Sequence, residues 1–186
     1  MRDVKIWGPS VWYFIHKISF DLPQNTFELT MNKRKQLSSF YRVLQFLLPC
    51  TTCRHHYGNM LTKYELMKNT ETGKKMAKWS VMVHNKVNRR LKKPIVDYPT
   101  AIKLYKNIIN HNKLHKFIKF ILVESDDSSI LNRKAIAKHI ITLYPCINCK
   151  KRMVNFLEYN PLNSINNSKK MTNWAKRLLI IAKKPC

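Results

Sequence analysis

Hydrophobic residues recur at steps of three and four along most of the chain, which is the spacing of one face of an α-helix. One such stripe runs from Leu37 to Leu48, and a second runs from Met76 to Leu91. The alternation that is typical of strands between hairpin turns is scarce. The pattern therefore predicts an all-α protein with helices near residues 9–20, 31–48, 51–66, 73–92, 100–123, 129–144, 147–159 and 168–183.

The sequence also contains an internal repeat. The stretch FLLPCTTCRHHYGNML at 46–61 aligns with TLYPCINCKKRMVNFL at 142–157, and KKMAKW at 74–79 aligns with KKMTNW at 169–174. Self-similarity at a nearly constant offset indicates a tandem of two related helical bundles. We place the boundary in the link KPIVDYPT, which predicts one domain over 1–98 and a degenerate repeat that retains a CxxC pair over 99–186.

The chain is strongly basic. Thirty-five Lys and Arg residues against ten acidic ones give a formal charge of +25, which would attract nucleic acid, anionic lipid or an acidic partner. The basic residues are spread evenly over both halves, and no basic tail stands out. This distribution favours a solvated basic surface, so we expect no specific nucleic-acid binding.

Neither a membrane span nor a secretory signal is readable. The longest apolar runs, such as FILV at 120–123 and LLIIA at 178–182, are much shorter than a transmembrane helix requires. The first 17 residues lack a long apolar region and a small-residue cleavage site. These features favour a cytoplasmic location.

Five cysteines form two CxxC pairs, Cys50 with Cys53 and Cys146 with Cys149, and leave Cys186 at the end of the sequence. In a reducing compartment, paired cysteines are more often catalytic or metal-bound than structural. The first pair follows Pro49 at a predicted helix start, where the helix dipole and nearby basic side chains lower a cysteine pKa. Three interpretations of this pair remain: a redox dithiol, a structural disulfide or half of a zinc site. Against the zinc site, 92 residues separate the two pairs, so the short spacing of zinc fingers is absent.

Two further motifs carry side chains that could hold a planar ligand. In WGPSVWYFIH at 7–16, Trp12 and His16 share a helix face, and in HNKVNRRLKKP at 84–94, His84 and Asn88 share a face with Asn85 beside it. Such residues could stack on a heterocycle and hydrogen-bond its edges. Each motif by itself fits core packing and exposed asparagines equally well.

The order WGxxxWxxxH, CxxC, HNxVNxxLxKP resembles the FAD-dependent sulfhydryl oxidases of the Erv/ALR family, over about residues 5–98. The resemblance implies a small helical bundle with the flavin ring of FAD beside the CxxC disulfide. It also implies an enzyme that oxidises thiols of a protein or redoxin substrate to disulfides. Electrons would pass through the CxxC pair and FAD to molecular oxygen, giving hydrogen peroxide.

The resemblance also implies residue roles. Cys53 would be the sulfur next to the flavin, which forms the charge-transfer complex, and Cys50 would exchange with the substrate. The implied cofactor-binding residues are Trp7, Gly8, Trp12, His16, Tyr57, His84, Asn85, Val87, Asn88, Leu91 and Lys93.

The chain departs from the family pattern at two places. Val81 and Tyr98 stand where the family usually has a structural disulfide, and its later tryptophan- and arginine-rich segment is not recognisable in YPTAIKLYKNII at 98–109. Compact relatives in large DNA viruses depart similarly, which favours a viral member. Its location would then be the host cytoplasm or the virion, while the mitochondrial intermembrane space stays open.

The second half lacks both cofactor motifs, so we expect it to bind no FAD. Cys146 and Cys149 could be a shuttle disulfide, a structural disulfide or a reduced vestige, and we favour the last two because shuttling demands contact between sulfurs. His111 and His115 have a metal-binding spacing but also fit an exposed basic helix, so we expect no metal site. Cys186 would be a free or intermolecular thiol.

Many relatives in the family dimerise, so a fused degenerate copy would give a monomeric pseudo-dimer, with a homodimer as the alternative. The competing function is a non-enzymatic basic interaction module, stabilised by zinc or disulfides, that binds nucleic acid or an acidic partner. Thiol–disulfide exchange without flavin is a third possibility, but the absence of βαβ units argues against a thioredoxin fold.

Overall fold

A computed structural model describes residues 3–25, 27–125 and 129–184, and every regular element in those ranges is helical. The all-α prediction is confirmed. The helices are α1 (Val4–Phe20), α2 (Met31–Gln45), α3 (Thr51–Lys63), α4 (Leu66–Asn69), α5 (Gly73–Arg90), α6 (Tyr98–Tyr105), α7 (His111–Ile118), α8 (Ile130–Leu143), α9 (Ile147–Tyr159) and α10 (Ser168–Lys183). A π-helical turn at Lys119–Val123 extends α7, and a 3₁₀ turn covers Leu162–Ser164.

Helix α1 begins at Val4, five residues before the start predicted at Pro9. The Asp3 carboxylate caps it by accepting a hydrogen bond from the Lys5 amide at 2.8 Å. A capped helix entry offsets the loss of the hydrogen bond that Pro9 cannot donate inside the helix. The start predicted near residue 9 is therefore too late, and the extra turn brings Val4 and Trp7 into the bundle.

The single helix predicted over 100–123 is wrong, because the chain breaks between α6 and α7. Lys106 is extended, and Asn107 has a φ of 61°, a left-handed conformation that asparagine tolerates better than most residues. The break is fixed from α1, since the Tyr13 hydroxyl donates to the Ile108 carbonyl at 3.0 Å and accepts from the Asn110 amide at 2.7 Å. These two hydrogen bonds fix the segment between α6 and α7, and α7 then packs against α1.

Helix α1 packs extensively against both α5 and α7. Phe14 on α1 stacks on Phe117 of α7 with ring centroids 4.0 Å apart, and it contacts Phe40 of α2 at 5.6 Å. All three side chains are fully buried. The predicted domains therefore share one hydrophobic core, which a boundary at residue 98 does not interrupt.

The two halves repeat the same local construction. Cys50 and Cys146 are the N-caps of α3 and α9, and each sulfur accepts from the amide three residues later. The Trp79 indole donates to the Tyr64 carbonyl at 2.9 Å, and the Trp174 indole donates to the Asn160 carbonyl at 2.8 Å. Each acceptor stands eleven residues after the second cysteine of its pair. The repeat seen in the sequence thus extends to equivalent hydrogen bonds.

Among the helices in the described ranges, none combines the length and the apolar character that crossing a bilayer requires.

Candidate functional site

The first CxxC pair forms a disulfide at the start of α3. The Cys53 amide donates to the Cys50 sulfur at 3.1 Å, and the Arg54 side chain holds the preceding turn by donating to the Leu48 carbonyl at 2.7 Å. Cys50 is 9% exposed, and Cys53 is partly exposed. The disulfide is therefore held at a helix N-terminus, where amides and the dipole stabilise a thiolate once the bond is reduced.

A cleft lies beside this disulfide. It consists of a cavity of about 90 Å³ that Cys53 lines and a neighbouring cavity of about 240 Å³. Four residues line both cavities, namely Val4, Trp12, Val87 and Leu91. The two cavities are thus parts of one cleft that these side chains divide, and a larger planar ligand could enter only if they moved apart.

Nine of the eleven residues expected to bind a cofactor line this cleft, and so does Cys53. They come from α1, α3, α5 and the loop after α5: Trp7, Gly8, Trp12, Tyr57, His84, Val87, Asn88, Leu91 and Lys93. His16 and Asn85 do not line either cavity. The remaining lining residues were not anticipated, and among them Tyr105 and Lys113 come from beyond the predicted boundary at residue 98.

Trp12, His16 and His84 form an aromatic group at the cleft, in which Trp12 and His84 are half-buried lining residues and His16 is buried behind them. Trp12 stacks on His84 with ring centroids 4.2 Å apart and an interplanar angle of 7°. The His16 Nε2 atom lies 2.8 Å from the His84 Nδ1 atom, and Tyr105 stacks on the other side of His16 at 4.4 Å. The two motifs that lie 68 residues apart in sequence therefore meet through one histidine–histidine hydrogen bond.

Hydrogen bonds assign the tautomers of the two histidines. The Ser80 hydroxyl donates to the Ala77 carbonyl at 2.8 Å, so its oxygen accepts from His16 Nδ1 at 3.0 Å. Neutral His16 then accepts at Nε2 from His84 Nδ1. His84 consequently keeps Nε2 as an acceptor on a residue that lines the cleft. Sequence reasoning missed Ser80, although it lies one helical turn before His84.

Ser80→Ala is expected to cost about 1–3 kcal/mol of unfolding free energy, because it leaves the buried His16 N–H without an acceptor. Urea unfolding measures the change, and Ser80→Thr, which keeps a hydroxyl, is the matched control. Equal stabilities for wild type and Ser80→Ala would show that this bond does not orient His16.

Both histidines are neutral near pH 7. Burial and the nearby His84 hold the pKa of His16 well below its usual 6.5, and burial with the nearby Lys93 lowers the pKa of His84 to about 4. A shared hydrogen bond between two rings requires that at least one be unprotonated. The pair therefore acts as a fixed, uncharged donor–acceptor chain.

These pKa values predict an acid-sensitive fold. Between about pH 6.5 and pH 4 the unfolded chain binds more protons at His84 than the folded chain does, so stability falls as pH falls. The contribution is up to about 3 kcal/mol. Urea unfolding across this range should show the loss, and His84→Gln should remove that part of the pH dependence. An unchanged slope in His84→Gln would contradict the assignment.

The asparagines of the second motif hold the loop after α5. The Asn85 amide donates to the Val96 carbonyl at 2.7 Å and its oxygen accepts from the Val96 amide at 3.0 Å. Asn88 donates to the Pro94 carbonyl at 3.0 Å and also lines the larger cavity. Asn85 therefore shapes the loop that carries Lys93, and both its side-chain nitrogen and its side-chain oxygen bond to Val96.

Tyr57 lines the smaller cavity, and its buried hydroxyl has no hydrogen-bond partner among the described residues. Burial, with a smaller effect of the Tyr41 ring, raises the pKa of Tyr57 well above its usual 10. The hydroxyl thus stays neutral and can donate. An unsatisfied buried donor costs free energy, which a polar atom of a ligand would recover.

Three cations line the cleft: Arg90, Lys93 and Lys113. All three are exposed, and they come from the end of α5, the loop after it and α7. Their separate origins give a positively charged border around an apolar interior. Such a border suits an anionic group attached to a planar, apolar one.

The second CxxC pair begins α9, away from this cleft. Cys146 is 6% exposed and Cys149 is fully buried. Neither lines the cleft next to Cys53. Cys186 lies outside the described residues.

Comparison with known proteins agrees with the resemblance of the motifs. The sequence profile of the Erv1 / Alr family matches residues 9–107, which is more than half of the chain. The FAD-linked sulfhydryl oxidase of African swine fever virus (isolate Pig/Kenya/KEN-50/1950) is 33% identical over 105 residues, covering 55% of this chain and 82% of the viral protein.

Two yeast proteins are also similar to this chain. The FAD-linked sulfhydryl oxidase ERV2 of Saccharomyces cerevisiae is 32% identical over 98 residues, covering 53% of this chain and 47% of the yeast protein. The crystal structure of the yeast Erv1 core superposes with a TM-score of 0.52 at 23% identity, covering 59% of this chain and 89% of that one. This structural similarity supports the helical fold.

Proposed function

Because the chain belongs to the Erv1 / Alr family, we propose that it is an FAD-linked thiol oxidase whose reactive group is the Cys50–Cys53 disulfide. The observation that carries the proposal is that Cys53 lines a cleft shared by both cofactor motifs. A basic interaction module would need neither the disulfide nor the cleft. The alternative is not favoured.

The residues of the cleft fit FAD. Trp12, Val87 and Leu91 supply flat and apolar surfaces for a ring system, and Tyr57 supplies a buried donor that has no partner among the described residues. The His84 Nε2 acceptor adds a second polar contact. Arg90, Lys93 and Lys113 would hold the diphosphate. When bound, FAD supplies a two-electron acceptor that passes the electrons to molecular oxygen and yields hydrogen peroxide.

The disulfide performs the first half of the reaction. A substrate thiolate attacks the Cys50 sulfur, which forms a mixed disulfide and breaks the Cys50–Cys53 bond. Cys53 leaves as a thiolate at the N-terminus of α3, where its charge is stabilised. The second substrate thiolate then attacks the mixed disulfide and releases Cys50 together with the substrate disulfide. The substrate dithiol thereby loses two electrons and two protons and becomes a disulfide, and the Cys50–Cys53 disulfide takes up the two electrons and becomes a dithiol.

The burial of Cys50 restricts which substrates can reach its sulfur. Cys50 is 9% exposed in the folded chain, whereas the neighbouring Thr51 and Thr52 are exposed. A thiol on a flexible segment reaches such a sulfur more easily than one on a rigid surface. The surrounding positive charge favours an acidic segment, so we propose a thiol-containing protein or redoxin with its dithiol on a mobile, acidic stretch.

Trapping tests the roles of the two cysteines. With substrate supplied in its disulfide form, Cys53→Ser should accumulate a mixed disulfide, because the Cys50 thiolate attacks the substrate disulfide, one substrate thiolate leaves, and no Cys53 sulfur remains to displace the bound sulfur. Cys50→Ser should accumulate much less. Mass spectrometry of non-reduced protein identifies the linked residue. Equal trapping at Cys53 in Cys50→Ser would reverse the assignment.

We also propose that the second unit, residues 99–186, takes the place of a second subunit and makes the protein a monomeric pseudo-dimer. The continuous core between α1 and α7 supports this arrangement. Sedimentation equilibrium should give the mass of one chain, 22.2 kDa, and a dimer mass would favour the homodimer.

The viral relatives support a location in host cytoplasm or virion, which fractionation of infected cells would test.

A further inference from the structure

The second CxxC pair lies beside a histidine that is distant in sequence. A ring nitrogen of His111 and the sulfurs of Cys146 and Cys149 all lie within 4.8 Å of one another. His111 is the first residue of α7, and the cysteines begin α9. Because the chain breaks between α6 and α7, the start of α7 places His111 next to the two cysteines at the start of α9.

We propose that His111, Cys146 and Cys149 form a binding site for a soft divalent metal ion, with zinc as the chemical choice. Two sulfurs and one imidazole are the ligand types that select zinc over magnesium or calcium. Ligand atoms around tetrahedral zinc lie about 3.5–3.8 Å apart, so small side-chain rotations would close the site. Water or another ligand would complete the fourth position.

Local hydrogen bonds suit metal-bound thiolates. The Cys149 amide donates to the Cys146 sulfur at 3.4 Å, and the Arg152 guanidinium contacts the Cys149 sulfur at 3.5 Å. Binding zinc would displace two thiol protons and use a neutral imidazole, which leaves the three-ligand site with no net charge.

The same CxxC construction thus serves two kinds of chemistry. Cys50 and Cys53 are joined as a disulfide next to the cleft, whereas Cys146 and Cys149 are grouped with His111 and buried. A zinc ion there would tie α7 to α9 across the second unit. It would provide a cross-link in a chain that has Val81 and Tyr98 where the family usually has a structural disulfide.

Zinc alone is the probe for the test. Full-length protein is treated with a chelator and a non-thiol reductant, exposed to Zn²⁺, desalted and analysed for zinc per chain. We expect one zinc per chain and a higher melting temperature than in the metal-free protein. His111→Ala and Cys146→Ser should lose the zinc. His115→Ala, four residues further along the same helix, and the Cys50→Ser/Cys53→Ser double variant should keep it.

A second measurement avoids dependence on variants that fail to fold. Zinc should slow alkylation of Cys146 and Cys149 in the wild-type protein, as peptide mapping by mass spectrometry would show. The proposal is overturned if no zinc binds, if His111→Ala retains a full equivalent, or if alkylation proceeds equally with and without zinc. A Cys146–Cys149 disulfide that resists the reductant would also overturn it, in favour of the structural disulfide.

Discussion

Replacing Cys53 with serine will reduce thiol-dependent peroxide production by at least about 100-fold while leaving bound FAD in place. Cys53 is the sulfur of the disulfide that lines the cleft, so its loss removes the route by which electrons leave Cys50. Serine is smaller than cysteine and should not obstruct the cavity. The reaction is measured as oxygen consumption with a small dithiol, and flavin content is measured by absorbance on the same sample.

Thr52→Ala is the matched control, because Thr52 is exposed between the two cysteines and lines neither cavity. It should retain wild-type turnover. If Cys53→Ser kept full activity, the disulfide would not carry the electrons. If it lost FAD as well as activity, its effect would be on binding and the assignment would need other variants.

Trp79→Ala will lower the free energy of unfolding by about 3–5 kcal/mol, the range for a large aromatic residue removed from a core. Trp79 is 2% exposed, packs edge-on against Tyr41 at 5.4 Å and donates to the Tyr64 carbonyl. The substitution leaves a cavity and removes one of the two hydrogen bonds that the Tyr64 carbonyl accepts, the other coming from Asn69 at 3.0 Å. Urea unfolding followed by circular dichroism measures the loss.

Trp79→Phe separates the two effects, since it keeps most of the ring and loses the indole N–H. It should cost clearly less than the alanine variant. Trp174→Ala, the equivalent change in the second half, should cost a similar amount, because Trp174 is also buried and donates to the Asn160 carbonyl. A loss below about 1 kcal/mol for Trp79→Ala would show that the surrounding helices collapse into the space.

The helical fold was predictable because the hydrophobic stripes have a helical period over long stretches. The predicted helix boundaries were wrong where the local sequence gave no signal or where contacts elsewhere in the fold outweighed it. The hydrophobic pattern predicted a helix start near residue 9, but the Asp3 cap begins α1 five residues earlier. The break at Asn107 has no glycine or proline to mark it, and it depends on hydrogen bonds from Tyr13, which is distant in sequence.

From the sequence, only the site residues that belong to a recognisable motif could be predicted. Spacing placed Trp12 beside His16 and His84 beside Asn88, but only the fold could show that His16 bonds to His84 rather than lining the cleft. Asn85 has the same residue type as Asn88, yet it bonds to Val96. Tyr105 and Lys113 belong to no motif and reach the cleft through the break after α6.

The grouping of His111 with the second CxxC pair was also beyond sequence reasoning. His111 precedes Cys146 by 35 residues and had been considered only with His115, its neighbour on the helix. The spacing of two histidines on one helix is visible in a sequence. A ligand set that joins the starts of two helices depends on how α7 and α9 pack.

The most direct test of the thiol oxidase account is the visible absorption spectrum of the purified protein before and after anaerobic addition of a dithiol. The account predicts a flavin band that bleaches on reduction and returns when air is admitted, because the Cys50–Cys53 pair would pass electrons to bound FAD. A protein that stays colourless even after incubation with FAD, or whose flavin band does not respond to the dithiol, would contradict it.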